Sequence, residues 1–333
     1  MADGGQGGTA AAVRRGRPVR RLLVGLLALA TVGALIVYLN RDKLSPLPPE
    51  GCKITTVAGG GTLDLAAASN AATITAVALS RGLPERAVTI ALATAMQESK
   101  IHNLEGGDRD SVGLFQQRPS QGWGTIDQIK DPVYATNKFL DGLVKVPGYA
   151  RMPLTDAAQQ VQKSGYPQAY AKHETNATLV SSALTGREPA ALSCVVHDLA
   201  APTAEPSPTA AQQPAAQASA APQPTDVSER VKREFGKVVA VSPVEKAAKD
   251  PRSVLALVPQ PTASADSGPG ATRQVGWALA QWAVAHAQEL GLGTVGYDGK
   301  VWRVDRPNDG WKAQSEGAPV DRVLVSIGAP VKK

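Results

Sequence analysis

The chain has 333 residues, 43% of them hydrophobic but only 4% aromatic, which is length for about two ordinary domains with tails and linkers rather than for one core. Its net charge is +6, yet residues 1–21 carry Arg14, Arg15, Arg17, Arg20 and Arg21 against Asp3, a balance of +4 that leaves +2 for everything else. The basic balance is therefore a topology signal, and no nucleic-acid partner is expected.

From Leu22 to Leu39 the sequence is uncharged and mostly apolar, about the length that crosses a bilayer. Basic residues precede the run and only the mixed Arg41-Asp42-Lys43 follows it, so the N-terminus is expected in the cytoplasm and the rest outside. A cleaved signal peptide shares the basic start, but no small-residue cleavage pattern follows closely, which favours an uncleaved anchor. One span without ionisable residues cannot form a pathway, which sets transport aside.

The expected order is a cytoplasmic basic tail over 1–21, a single N-terminal transmembrane helix over 22–39 that places the chain in the cell membrane, and a stalk over 40–61 containing Pro46-Leu47-Pro48-Pro49 and Gly59-Gly60-Gly61. A first domain then covers 62–198, a Pro/Ala-rich linker 199–227, and a second domain 228–333. Cys52 and Cys194, the only cysteines, bracket the first domain; a disulfide fits an exported chain, two unrelated buried thiols being the competing reading.

Within the first domain the pattern is helical. Leu63 to Ser80 is Ala-rich, and Arg81-Gly82-Leu83-Pro84 breaks it and offers Pro84 as a first-turn residue. In the helix that follows, Val88, Ala91, Leu92, Ala95 and Ser99 form one small-residue face, and Glu98 stands at its C-terminal end. After a polar, Gly-rich stretch from Gly106 to Gly124, helices are expected over Asp131 to Val146, Thr155 to Lys163 and Gln168 to Leu184.

A Glu at a helix end is usually just solvated. The string around Glu98 is more particular: Ala95-Met96-Gln97-Glu98-Ser99, then Asn103, then Ser111-Val112-Gly113-Leu114-Phe115-Gln116. It resembles soluble lytic transglycosylases and goose-type lysozymes, in which a Glu-Ser pair is followed by Gly-Leu-(Met/Phe)-Gln. The resemblance continues through Asp131-Pro132 and Ala157-Ala158-Gln159 and covers about residues 64–184. It implies a mainly α, lysozyme-like domain that cleaves the β-1,4 bond between N-acetylmuramic acid and N-acetylglucosamine in peptidoglycan, with no cofactor, metal or protein partner indicated.

On this resemblance Glu98 is the general acid and base, and apolar neighbours should raise its carboxyl from about 4.3 toward roughly 6, as they do in lysozyme. A second carboxylate would come from Asp108 or Asp110; without one, the 2-acetamido group of the substrate stabilises the oxocarbenium-like state and the muramyl 6-hydroxyl closes a 1,6-anhydro product. Ser99 is expected to bond the carboxylate, Gly113 to let backbone approach the sugar, Asn103 and Gln116 to contact substrate, and Trp123 to stack on a ring or pack. Gln159 stands where relatives carry a Tyr that holds the catalytic carboxylate, which leaves Gln162 or Tyr166 to take over. The competing function is a non-catalytic cell-envelope scaffold.

The second domain reads as small and α+β. Apolar runs lie at Val238 to Val241 and Val254 to Val258, a helix spans Gln274 to Leu290, Asp298-Gly299 marks a hairpin, and Val323, Val325 and Ile327 suggest a last strand. Residues Trp277 to Trp311 resemble a C-terminal domain of actinobacterial cell-wall proteins, some of which look like metallopeptidases; the ligands are absent here, since the final strand has no His and His102, His173, His197 and His286 show no metal spacing. His286 is expected to pack in its helix, Trp277 and Trp282 to fill the core, and Trp302 and Trp311 to be available as a ligand platform.

Overall fold

The computed structural model describes residues 27, 29–35, 38, 48–199, 223–244, 252–260, 269–314 and 316–328. The expected basic tail, much of the span 22–39 and residues 200–222 of the expected linker lie outside these. No helix among the described residues is long and apolar enough to cross a membrane. Residues 49–333 group as one compact unit.

The chain enters this unit as strands where a stalk was expected. β1 (Gly51–Thr56) and β2 (Gly59–Leu63) pair antiparallel, with Ile54 opposite Gly61. The free side of β1 pairs with β3 (Leu192–Val195), in a register that sets Cys52 opposite Cys194, and the two are joined as a disulfide. The Gly run looks like a linker because β2 contributes backbone pairing and almost no side chains.

Helix α1 (Leu65–Ser80) starts at Asp64, whose carboxylate accepts from Ala67 N at 2.8 Å, satisfying one of the free N–H groups of the first turn. Ala67, Ala68, Ala71, Ala72, Ile74 and Ala78 are all at most 2% exposed, so the helix is buried nearly all round. Helix α2 (Glu85–Ser99) has Pro84 at its N-cap, one position before the expected first turn, and ends at Lys100 in the left-handed region. Short α3 (Ile126–Ile129), α4 (Pro132–Leu143, capped by Asp131), α5 (Leu154–Gln162) and α6 (Glu174–Leu184) follow. The helix expected from Gln168 is divided: Pro167–His173 is 3₁₀ and the α-helix begins only at Glu174.

Helix α7 (Pro224–Phe235) begins inside the expected linker. A six-stranded antiparallel sheet then forms in the order β4-β5-β9-β6-β7-β8, from β4 (Val239–Val244), β5 (Val254–Pro259), β6 (Leu292–Tyr297), β7 (Lys300–Arg303), β8 (Lys312–Ala313) and β9 (Val323–Ile327). The β6–β7 turn uses Asp298 and Gly299, both at positive φ (48° and 71°), as a tight hairpin requires. The fold is thus mixed helix and sheet, with the sheet concentrated toward the C-terminus.

Helix α8 (Pro269–Ala285) packs against α1, α6 and β3, so the N- and C-terminal halves share one core. Gln281 Nε2 donates to Ala183 O at 2.6 Å, and its Oε1 accepts from Leu192 N at 2.7 Å. Trp302 Nε1 donates to Cys194 O at 3.2 Å and Trp311 Nε1 to Leu192 O at 2.8 Å. These two indoles are not a ligand platform: Trp302 is 1% exposed, and Trp311 stacks edge-on against Trp277 at 5.2 Å.

The same junction buries charge. Glu234 of α7 and His286 beyond α8 are both fully buried, with Glu234 accepting from Trp282 Nε1 at 2.7 Å and from Thr73 of α1 at 3.0 Å. Ser69 of α1 donates to Glu289 at 2.6 Å and lies 3.1 Å from His286 Nδ1, while Arg230 reaches both Glu289 and Glu234 at 2.6 and 3.2 Å. His286 is therefore packed, as expected, and is also the centre of an ion network.

Candidate active site

Glu98 stands one residue before the end of α2, half-buried, with the turn at Lys100 directly beyond it. Its partner comes from the 3₁₀ segment: Tyr170 Oη donates to Glu98 Oε1 at 2.6 Å. Tyr170 is fully buried, and burial, then the bond to Glu98, pushes its phenol far up, so it remains a donor across the working pH range. The other oxygen, Oε2, has no partner among the described residues.

Ser99 does not bond the carboxylate. Its hydroxyl donates to Leu114 O at 2.7 Å and to Ala95 O at 3.1 Å, which fastens the end of α2 to the Gly-Leu-Phe-Gln loop. Gly113 serves this packing rather than an approach to ligand: at φ 77° a Cβ there would stand 2.7 Å from Ile129 O. Asn103 donates to Lys130 O at 2.6 Å, and Gln116 donates to Gly113 O at 3.1 Å while accepting from Ser111 at 2.9 Å. The Phe115 ring stacks on Phe139 at 4.8 Å, so the loop has its own apolar root.

Gln159, which stands in place of the Tyr, and the residues offered as its substitutes, Gln162 and Tyr166, go elsewhere. Gln159 donates to Ser164 O and Gln162 to Phe115 O, each at 2.8 Å, and Tyr166 is 79% exposed. Tyr170 holds the carboxylate instead, and no signal in the residues around it marked this. A phenol needs burial before its hydroxyl must find a partner, and burial here depends on the 3₁₀ turn that Pro167 opens.

Neither Asp in the loop is set up as a second catalytic carboxylate. Asp110 accepts from Ser120 N at 2.8 Å and Arg118 Nε at 2.7 Å; these bonds hold its carboxyl well below the usual range. Asp108 is 95% exposed beside Arg109. Trp123 is partly buried against the core, and its carbonyl accepts from Tyr134 Oη at 3.2 Å. Among the described residues no group of three His, Cys, Asp or Glu could hold a metal ion.

Beside this site, His173 Nε2 lies 3.1 Å from Gln97 Oε1, and burial followed by Lys172 lowers its pKa. His173 also lines a cavity of about 360 Å³ with Met96, Lys100 and Ile101 of the α2 end and with the β1–β2 hairpin. Glu98 itself is not in that lining.

No curated protein matches the chain. The family described as VldE, C-terminal domain, matches residues 262–322, a stretch that holds α8 and β6–β8 and none of the residues around Glu98.

Proposed function

We propose that the chain is a membrane-anchored enzyme that cleaves the glycan strands of peptidoglycan outside the cytoplasm, through a lysozyme-like domain with Glu98 as general acid and base. The observation that carries this reading is the bond from Tyr170 Oη to Glu98 Oε1. A buried phenol locked as a donor fixes one oxygen of the carboxyl and leaves the other to move a proton, and it does so at the helix end where the sequence resemblance places the acid.

In this scheme Oε2 gives its proton to the glycosidic oxygen as the bond breaks, and the resulting carboxylate then takes a proton from the attacking hydroxyl. With Asp110 occupied by Arg118 and Ser120, the 2-acetamido group of the substrate is the natural stabiliser of the cationic ring carbon. Attack by the muramyl 6-hydroxyl then gives a 1,6-anhydro product. The Cys52–Cys194 disulfide supports an oxidising compartment.

The test is mass spectrometry of muropeptides released from purified sacculi by the full chain and by Glu98→Gln. Anhydro-muropeptides are expected from the parent, falling by about 10²–10⁴ in rate without the acid. Equal release by both proteins removes Glu98 from catalysis.

A second reading, a non-catalytic envelope scaffold, is favoured by the use of Ser99 and Gln116 for bonds to the loop. A scaffold would retain sacculi in a pull-down and release nothing.

A further inference from the structure

The cavity of about 360 Å³ is within the size range of small-ligand sites, roughly 300–1,000 Å³. Gly61 is one of the residues that line it. Directly opposed residues of an antiparallel pair share a face, so Gly61 presents its side-chain position beside Ile54, which is 1% exposed. A Cβ on Gly61 would meet nothing within 4 Å. Nor is Gly61 at positive φ, so the backbone does not demand glycine; what glycine leaves is room.

The lining is mostly apolar, with Thr62, His173 and Asn176 as polar members, and carries one sign of charge. Ile54, Ile101 and Leu179 give it aliphatic walls, Lys100 is exposed with no ion-pair partner among the described residues, and no Asp or Glu lines it. Lys100 and Ile101 reach it through consecutive left-handed turns, φ 56° and 63°, which a β-branched residue rarely adopts. The bend is held by Ile101 N to Ala95 O at 3.0 Å and by Asn70 Nδ2 to Ile101 O at 2.9 Å. His173, its pKa lowered by burial, leaves Lys100 as the cation.

Met96 and Lys100, two residues to either side of the acid, both line the cavity. Residues three apart eclipse in a 3₁₀ helix and rise about 6 Å; Tyr170 reaches Glu98, and His173, three residues on, reaches Gln97 and lines the cavity. In the substrate proposed above, a short peptide rich in alanine and carboxylates branches from the muramyl ring at the scissile bond.

We infer that the cavity binds this acidic peptide branch, with an alanyl methyl against Ile54, Ile101 and Leu179 and a carboxylate on Lys100 Nζ. The inference rests on the reading of Glu98 as a glycan-cleaving acid, and its test does not require cleavage. Calorimetric titration of the full chain with the free stem tetrapeptide, L-alanyl-γ-D-glutamyl-diaminopimelyl-D-alanine, should show saturable binding. Lys100→Ala should weaken it about fivefold. Gly61→Leu, which fills the cavity without a backbone clash, should abolish binding while leaving the unfolding transition in place.

Glu98→Gln should bind the peptide as the parent does. If it also still cleaves sacculi, the proposed function fails while the peptide site stands. Absence of binding to the parent at millimolar peptide overturns the inference, as does equal binding by the parent, Lys100→Ala and Gly61→Leu. Decanoate bound as tightly as the peptide overturns it in favour of an acyl ligand.

Discussion

At the scale of single residues, the site turns on which groups are free and which are spent. Ser99, Gly113 and Gln116 are spent on bonds to the loop, Asn103 Nδ2 is spent on Lys130 O, and Tyr170 is committed to one oxygen of Glu98. Tyr170→Phe keeps the buried ring and removes only the donor, and a hydrogen bond to a charged group contributes about 1.5–3 kcal/mol. As a positioning change it should lower kcat on sacculi by roughly tenfold or more and leave KM and sacculus binding unchanged. A rise in KM at unchanged kcat would instead assign Tyr170 to substrate binding. The position of Glu98 at a helix end was legible because its motif is local. That of its partner was not: Tyr166 and Tyr170 differ by one turn, and only the 3₁₀ geometry after Pro167 decides which phenol is buried.

At the scale of elements, the loop that follows α2 is fastened by Ser99 to Leu114 O, by Phe115 on Phe139 and by close packing at Gly113. Gly113 and Gly122 separate two costs of replacing glycine: both sit at positive φ (77° and 79°), but a Cβ on Gly113 meets Ile129 O at 2.7 Å and one on Gly122 meets nothing within 4 Å. Gly122→Ala should cost about 1 kcal/mol from its left-handed backbone alone, whereas Gly113→Ala must also displace backbone and should cost about 3 kcal/mol. Urea unfolding of the two variants measures the difference, and equal midpoints would mean that the contact with Ile129 is not maintained. Elements with their own punctuation were readable in advance: α2 begins at Pro84, α4 at Asp131-Pro132, and the β6–β7 turn falls on Asp298-Gly299. β1 and β2 were not, because their pairing is completed by β3 from the far end of the first half and three glycines carry no hydropathy signal.

At the scale of the whole molecule, the two halves are tied by a network whose protonation the geometry dictates. The single hydroxyl proton of Ser69 goes to Glu289, so His286 Nδ1 must donate to Ser69; on the other side, His286 Nε2 faces Glu234 at 3.6 Å. Both ring nitrogens then face acceptors, which calls for the imidazolium. Burial opposes that charge, but the Glu234 and Glu289 carboxylates outweigh it and raise the pKa of His286. Burial likewise opposes ionised Glu289, and His286, Ser69 and Arg230 outweigh it to hold the carboxyl at about 2; Glu234 is lowered in the same sense. A raised His contributes stability that is complete below its unfolded value, 6.5, and is lost as pH climbs through the folded value. A lowered Glu contributes stability that is complete above 4.5 and is lost as pH falls toward about 2. The two signs make the contribution of this network greatest between pH 4.5 and 6.5, falling on both sides. Glu234→Gln removes the carboxylate facing Nε2, should cost about 3 kcal/mol as a broken buried pair, and should lessen the alkaline fall because only Glu289 is left to favour the charge on His286. Chemical denaturation at intervals from pH 3 to 9 checks both; an unaltered alkaline limb in Glu234→Gln would mean that the ion network does not hold the halves together.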